Sequence, residues 1–242
     1  MGQTCCYNRI KNMKFGVVVF PGSNCDHDMI YVLRNIEGQE VVPLWHKERD
    51  LQNCDMIVLP GGFSYGDYLR SGAIASLSPI MSEIKSFANK GGLLLGVCNG
   101  FQILCESGLL EGTLLHNDNQ KFICKNQYLT SQTNTNIFTK ETTMGSVLNI
   151  PIAHGEGRYF AYEDVLKQMN DNEQILFRYC NEKGEIREEC NPNGSVENIA
   201  GITNKTKNVF GMMPHPERCA DMELGNTDGK ILFDSIIKNF VK

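Results

Sequence analysis

An apolar run without charged residues, residues 92–97, ends in Gly-Val-Cys-Asn-Gly at 96–100, and a helix-compatible apolar segment follows. A nucleophile placed between two such glycines is typical of a sharp turn from a buried strand into a helix. The glycines are needed because this turn leaves no room for neighbouring Cβ atoms. The run therefore predicts a strand, turn and helix within an α/β fold, with Cys98 at the turn.

Cys98 at the first turn of a helix lies beside unpaired N–H groups and the positive end of the helix dipole, which favour a thiolate. The same N–H groups can stabilise an oxyanion that forms on a substrate. The alternative is a buried cysteine beside a tight turn, because cysteine is among the most buried residue types. The stretch alone leaves both interpretations open.

Apolar runs that precede and follow this unit predict the rest of the fold. Helix-compatible segments alternate with the early runs, which predicts a doubly wound, mainly parallel α/β sheet of the flavodoxin-like type. After residue 110 the pattern changes to further β-strands and a terminal helix. We expect residues 1–12 to be a disordered leader and residues 13–242 a single domain. The predicted strands are 15–20, 40–44, 56–59, 121–129, 146–153, 174–179, 199–203 and 209–213, with an irregular or surface segment at 130–143 and helices at 79–90 and 228–241.

Composition excludes several classes of protein. The chain has 23 basic and 28 acidic residues, a net charge of −5, and no basic cluster, so we expect no nucleic-acid partner. No apolar run approaches the roughly 18 residues of a membrane span, and no secretory signal is visible. Ten scattered cysteines without a Cys-x-x-Cys pair are typical of free thiols in a reducing compartment. We therefore expect a cytoplasmic protein.

The loop after the first predicted strand, residues 22–28, is rich in polar side chains and is called the first loop below. Ser23 or Asn24 is expected to cap the helix that follows. The side chains of residues 25–28 resemble a row of metal ligands, but adjacent side chains rarely converge on one ion. We therefore predict no metal site and assign the row no role.

A second loop, residues 60–70, begins with Pro-Gly-Gly directly after a predicted strand and is called the glycine loop. Backbone N–H groups at the carboxyl edge of an open α/β sheet bind ligands, and glycine allows close approach. Alone, the pattern is more often a turn without a ligand. Beside the cysteine turn, Gly61 and Gly62 become candidates for the second half of an oxyanion hole.

A cysteine nucleophile requires a base, and the base requires a group that orients it. Of the five histidines, His154 has a suitable glycine-rich setting, but His215 is the stronger candidate. Flanking prolines keep His215 in extended chain, where residues two apart point the same way. Glu217 can therefore lie beside the imidazole and fix its tautomer. A proline-rich exit loop with incidental charges is the alternative for this stretch taken alone.

The segments at 96–102 and 215–217 together resemble the class I, or triad, glutamine amidotransferases. The segments 22–26, 60–68, 153–158 and 214–218 extend this resemblance, which runs from about residue 13 to the end of the chain. The resemblance implies that Cys98 attacks the side-chain amide of glutamine, that His215 transfers the proton and that Glu217 orients His215. It further implies oxyanion or substrate binding by Gly61, Gly62, Asn99, Gln102, His154 and Gly155.

The resemblance is to a form in which the glutaminase is a small separate subunit. It implies that ammonia passes to a large synthetase subunit, with a small third subunit in the complex. The phosphate-binding Gly-x-x-x-x-Gly-Lys-Ser/Thr loop is absent from this sequence, so we expect no cofactor in this chain and ATP and Mg²⁺ on the partner. The partner surface is expected at the mouth of the site, where the first loop and residues 65–70 meet. Two alternatives remain: a cysteine hydrolase of damaged proteins or small aldehydes, and a non-catalytic flavin- or protein-binding domain.

Overall fold

The computed structural model describes residues 12–241. Its first half alternates strands and helices, as the sequence predicts. The strands are β1 (Lys14–Val19), β2 (Glu40–Trp45), β3 (Met56–Leu59) and β4 (Leu93–Val97). The helices are α1 (Asp26–Tyr31), which continues as a π-helical turn over Val32–Ile36, α2 (Pro79–Asn89) and α3 (Asn99–Glu106).

The second half is richer in strands. It contains β5 (Thr113–Leu115), β6 (Ile123–Ser131), β7 (Val147–His154), β8 (Arg158–Phe160), β9 (Ile175–Tyr179), β10 (Ile199–Thr203) and β11 (Val209–Met212). Two helices lie among them, α4 (Glu163–Asp171) and α5 (Lys230–Asn239). Among residues 12–241, no helix has the length and apolar character needed to cross a bilayer.

Within residues 12–241, nine strands form one mixed sheet in the order β2-β1-β3-β4-β11-β10-β9-β6-β7, and β5 pairs with β8 separately. The five strands from β2 to β11 are parallel, and the next four pair antiparallel. With β11 counted fifth, the parallel half has the flavodoxin-like order 2-1-3-4-5. The predicted doubly wound, mainly parallel sheet with additional strands in the C-terminal half is confirmed.

How much of a strand is buried depends on its position in the sheet. The central strands β3, β4, β10 and β11 are buried along their whole length, because helices or loops cover both faces. The edge strand β7 instead alternates between buried and half-buried residues. The central sheet therefore provides a rigid base, and the loops at its carboxyl edge carry the polar residues.

Several local expectations are wrong or fall outside the described residues. Neither Ser23 nor Asn24 caps α1: the helix begins after Cys25 without a side-chain cap, and the Ser23 hydroxyl bonds the backbone of Phe20. Of the two forms expected for residues 130–143, the irregular hairpin between β6 and β7 is right and the surface loop is wrong, since Phe138 is fully buried. The predicted leader covers residues 1–12, of which the structure describes only residue 12.

Candidate active site

The carboxyl ends of β1, β3, β4 and β11 lie along one edge of the sheet. The strand order reverses between β1 and β3, which is where open α/β sheets form a ligand crevice. Four segments meet there: the first loop, the glycine loop, Cys98 after β4, and residues 213–217 after β11. The sheet topology thus gathers the sequence-predicted segments at a single crevice.

Cys98 lies at a strained turn, as the glycine pattern predicts. Its φ is +50° and its ψ −106°, a region that residues with a Cβ rarely adopt. Its N–H donates to the Met212 carbonyl at 2.7 Å, which anchors the turn to β11. A Cβ on Gly100 would collide with the Leu59 carbonyl of β3, so only glycine allows α3 to pack this closely. The strain at Cys98 is therefore maintained by backbone contacts on two sides.

His215 is held in a buried site beside Glu217. Its N–H donates to the Pro151 carbonyl at 2.8 Å, and its Nδ1 donates to Oε1 of Glu217 at 2.6 Å. Burial alone lowers the pKa of His215, but the charges and hydrogen bonds of Glu217, Cys98 and Cys25 outweigh it, so the pKa stands well above its usual value. The arrangement favours an imidazolium, and in the neutral ring Glu217 keeps the proton on Nδ1.

Cys98 and His215 meet at Gly61. A Cβ built on Gly61 would lie 2.7 Å from Cε1 of His215 and 3.4 Å from Cβ of Cys98. Gly61 therefore cannot carry a side chain without displacing the imidazole. The Cys98 Sγ also lies 3.7 Å from the Ala153 carbonyl at the end of β7. The structure thus brings the thiol and the imidazole to the same cleft, although they are distant in sequence.

The first loop clamps the glycine loop against α3. Gly62 has a φ of +130°, and a Cβ there would collide with the backbone of the first loop. The Phe63 N–H donates to the Gly22 carbonyl at 2.8 Å. On the other side, Oδ1 of Asn99 accepts from the Ser64 N–H at 3.1 Å. These contacts hold the two segments that carry the predicted oxyanion donors, Gly62 and Asn99, next to each other.

A cavity of about 190 Å³ opens in front of the thiol and is lined by Gly62, Cys98, Gln102, His154 and Gly155, among others. Gln102 is fixed on both sides, since its Nε2 donates to the Glu156 carbonyl at 2.6 Å and its Oε1 accepts from Nδ2 of Asn99 at 2.8 Å. Three larger surface cavities in the described part of the chain, of about 490, 440 and 250 Å³, contain none of the predicted site residues. The smaller cavity is therefore the candidate substrate pocket.

His154 lines the pocket but has the environment of a neutral, structural histidine. Its Nδ1 lies 3.0 Å from Oδ1 of the fully buried Asn117, which also accepts the Gly157 N–H at 3.0 Å. Burial, together with the charge of His215, lowers the pKa of His154 to about 4. Nothing in the sequence pattern indicated Asn117, because its partners are brought together only by the fold.

Asp67 is a pocket residue to which the sequence pattern assigns no role. It lies in the glycine loop with a φ of +55° and faces the cavity together with Glu156. Burial and the nearby Glu156 charge raise the pKa of Asp67 to about 6, partly offset by a hydrogen bond from Ser71. The pocket therefore holds negative charge that a positively charged group of a ligand would complement.

One group of side chains in the described part of the chain has the spacing of metal ligands: Cys25, His215 and Glu217, whose donor atoms lie within 4.8 Å of one another. The other members of the sequence row 25–28 do not belong to this group. Arg218 donates to Sγ of Cys25 at 3.0 Å, and Glu217 bonds His215, so these contacts already engage the three side chains. The prediction of no metal site remains a prediction.

The fold and the Cys–His–Glu arrangement together define a glutamine amidotransferase of the cysteine-triad class. The family model of the CobB/CobQ-like glutamine amidotransferase domain matches residues 12–230. A solved structure of a glutamine amidotransferase from Thermotoga maritima has a TM-score of 0.58 at 17% identity, over 94% of this chain and 91% of that one, and supports the fold alone.

Relatives of higher sequence identity show which family within this class the chain belongs to. The phosphoribosylformylglycinamidine synthase subunit PurQ of Chlorobium chlorochromatii is 56% identical over 93% of this chain and 96% of its own length. The PurQ subunit of Aquifex aeolicus is 53% identical over 94% of this chain and its full length. The structure of PurLQS from Thermotoga maritima superposes with a TM-score of 0.83 and 44% identity, over 94% of this chain and 99% of that one. The chain belongs to the family of phosphoribosylformylglycinamidine synthase PurQ subunits, which confirms the sequence resemblance.

Proposed function

We propose that this chain hydrolyses glutamine through a thioester on Cys98 and delivers the ammonia to an ATP-dependent synthetase subunit. The observation that carries the proposal is the meeting of Cys98 and His215 around Gly61, with Glu217 2.6 Å from the imidazole. The complex would convert formylglycinamide ribonucleotide to formylglycinamidine ribonucleotide in purine biosynthesis, in the cytoplasm.

In the first half-reaction the Cys98 thiolate attacks the side-chain amide carbon of glutamine, and the carbonyl electrons move to oxygen. Backbone N–H groups of Gly62 and Asn99 bind that oxyanion, and removing one such donor costs about 3 kcal/mol of barrier. Protonated His215 gives its Nε2 proton to the leaving nitrogen as the C–N bond breaks. Ammonia and a γ-glutamyl thioester result.

In the second half-reaction neutral His215 removes a proton from water, and the resulting hydroxide attacks the thioester carbon. Collapse of the tetrahedral intermediate breaks the C–S bond, releases glutamate and restores the thiolate and the imidazolium. Glu217 accepts from Nδ1 throughout, so it stabilises the ring whenever it is charged. Gln102, His154 and Gly155 would bind the remainder of the substrate.

Asp67 would take part in substrate binding as well, at the amino-acid end of glutamine. The α-ammonium group is the part of glutamine that would complement the negative charge of Asp67 and Glu156 in the pocket. Its binding would also favour the ionised form of Asp67. We therefore assign Asp67 to recognition of the α-ammonium group.

The surface around the pocket supports docking of a large synthetase subunit, with a small third subunit in the complex. Phe63 and Phe122 line the cavity and are exposed, and Tyr68 and Leu69 beside them are 74% and 93% exposed. The first loop and residues 65–70 meet here, since the Tyr65 N–H donates at 2.7 Å to the carbonyl of Pro21, the residue directly before the first loop. Exposed apolar side chains grouped around a polar site favour a protein interface. ATP and Mg²⁺ would bind the synthetase rather than this chain.

The test uses the reconstituted complex with either glutamine or ammonium salt as nitrogen source. Cys98→Ala and His215→Ala are each expected to abolish glutamine-dependent synthesis and to leave ammonia-dependent synthesis at the wild-type rate. Cys124→Ser, at an exposed thiol, is the matched control and should retain both activities. Equal loss of the ammonia-dependent reaction would contradict the proposed division of labour.

A further inference from the structure

A second buried thiol, Cys25, contacts the active-site histidine and has no role in the mechanism above. Cys25 is 3% exposed, and its N–H donates to the Gly61 carbonyl at 3.3 Å. A Cβ built on Gly61 would lie 3.2 Å from Sγ of Cys25 and 2.7 Å from Cε1 of His215. The Cys25 sulfur therefore packs beside the imidazole on the same glycine that adjoins Cys98.

Cys25 does not face the substrate. Among the residues described, it is absent from the lining of the pocket that contains Cys98 and Gln102. Its donor atom instead lies within 4.8 Å of those of His215 and Glu217. Cys25 thus lies beside the histidine–glutamate pair and outside the lining of the candidate substrate pocket.

Arg218 fixes the sulfur in place. Its Nη2 donates to Sγ of Cys25 at 3.0 Å, and its Nε lies 3.7 Å from a carboxylate oxygen of Asp28. Burial alone lowers the pKa of Arg218, but the nearby Cys25, Glu217 and Asp28 outweigh it, so the guanidinium remains charged. A charged donor to sulfur makes a stronger contact than a neutral one. The first loop is therefore tied to the turn that carries His215.

The imidazole has few other restraints. Within the described part of the chain, Nε2 of His215 and Oε2 of Glu217 have no hydrogen-bond partner, although both residues are at most 2% exposed. The hydrogen bond from Nδ1 to Glu217 fixes one edge of the ring, and packing against Gly61, Cys25 and Cys98 must fix the other. A neighbour against the ring edge is needed to keep Nε2 directed at the reacting atoms.

We propose that Cys25, held by Arg218, is a positioning residue that keeps the His215 imidazole in line with Cys98 during glutamine hydrolysis. This inference rests on the proposed function. It gives the first loop a part in catalysis, because the loop supplies a side chain that restrains the catalytic base. It also assigns a role to Arg218, the residue after the His-Pro-Glu sequence, which is to hold the Cys25 sulfur in place.

The charged and titratable groups that face His215 determine how the pH profile should respond. Glu217, Arg218 and Cys219 lie on its own turn, Cys98 on the α3 side, His154 at the end of β7, and Cys25 on the first loop. Removing Cys25 deletes a neighbour that raises the pKa of His215 and leaves the Arg218 charge without its acceptor. Both effects lower the pKa of His215. The imidazolium is then lost at lower pH, so the alkaline limb of the pH profile moves down.

The experiment compares Cys25→Ala, Cys25→Ser and Arg218→Ala in the reconstituted complex, with Cys124→Ser as the thiol control. Misplacement of a catalytic group by about 1 Å costs about 100-fold in rate, so Cys25→Ala should lower kcat for glutamine by about 10- to 100-fold. KM for glutamine and the ammonia-dependent rate should stay within about twofold of wild type. The alkaline limb of kcat/KM should move to lower pH.

Two further outcomes separate positioning from a purely structural role. Cys25→Ser retains a small acceptor for Arg218 and should recover most of the lost kcat. Arg218→Ala should lower kcat as Cys25→Ala does, without moving the alkaline limb to lower pH, and the double variant should lose no more kcat than either single variant, because both act through one contact. If thermal unfolding shows that Cys25→Ala does not fold, Cys25→Ser and Arg218→Ala carry the test.

The inference is overturned if folded Cys25→Ala and Arg218→Ala keep kcat within about twofold of wild type, with an unshifted pH profile in Cys25→Ala. It is also overturned if they raise only KM. A different result would contradict the proposed function, namely full glutamine-dependent activity of Cys98→Ala. The two failures are therefore distinguishable in the same set of assays.

Discussion

Glu217→Gln tests the electrostatic role of the carboxylate with the smallest change of shape. The native Oε1 lies 2.6 Å from Nδ1 of His215, and the two side chains are 0% and 1% exposed. The introduced glutamine side chain can still occupy the position of Glu217, and its amide oxygen can accept a hydrogen bond from Nδ1 of His215. The substitution therefore removes the negative charge and leaves the position of the ring largely unchanged.

The size of the expected loss in kcat/KM follows from the burial of the His215–Glu217 ion pair. Removing one partner of a buried ion pair costs about 3–5 kcal/mol, because the remaining charge is left uncompensated. The imidazolium donates the proton that releases ammonia, so the same energy is lost from the transition state. At about 1.4 kcal/mol per factor of ten, kcat/KM for glutamine should fall by about 10² to 4 × 10³.

The assay measures kcat/KM of the complex with glutamine and, separately, with ammonium salt. Glu223→Gln, the same substitution at an exposed glutamate in the next turn, is the control and should match wild type in both. Glu217→Ala should cost less than Cys98→Ala or His215→Ala, since Glu217 acts only through His215. A Glu217→Gln variant within about threefold of wild type would refute the electrostatic reasoning.

Three further predictions follow from the site. Gly100→Ala would collide with the Leu59 carbonyl, so it should cost about 1–3 kcal/mol of unfolding free energy and lower glutaminase activity; an unchanged urea midpoint would contradict this packing. Asp67→Asn should raise KM for glutamine about tenfold but not for glutaramate, which lacks the α-amino group; equal effects on both would exclude the assignment. His154 takes up a proton near pH 6.5 when unfolded and near pH 4 when folded, so folding loses stability as pH falls between these values. From pH 7.5 to 5 in urea titrations, wild type should lose about 2 kcal/mol more than His154→Gln, and equal losses would refute a neutral His154.

The strand–turn–helix unit was predictable because its constraints are local. The close approach of α3 to β3 requires Gly100, and the four apolar residues of β3 are all buried. Both requirements are visible directly in the order of glycines and apolar residues along the chain. The position of Cys98 follows from these contacts.

The short helix α4 was not predicted, because its nine residues bury only Leu166 and Met169 and so provide a weak helical pattern. The expected caps of α1 were wrong for a different reason: the Ser23 hydroxyl finds partners in the preceding turn. In both cases tertiary contacts decide the local structure.

The surroundings of the site could not be predicted from spacing. The carbonyl that holds the His215 N–H belongs to Pro151 on β7, and the amide that fixes His154 belongs to Asn117. Cys25 stood in a row of polar residues without a role until the fold brought it to His215. Such pairings depend on which distant strands are neighbours in the sheet, and a single sequence does not carry that information.

Covalent labelling of the complex with an electrophilic glutamine analogue tests most directly whether Cys98 is the nucleophile. Peptide mass spectrometry should find the label on Cys98 alone, with labelling prevented by excess glutamine and abolished in Cys98→Ala. His215→Ala should slow the labelling. A label on Cys25 or another thiol, or labelling that glutamine does not prevent, would contradict the mechanism proposed for this chain.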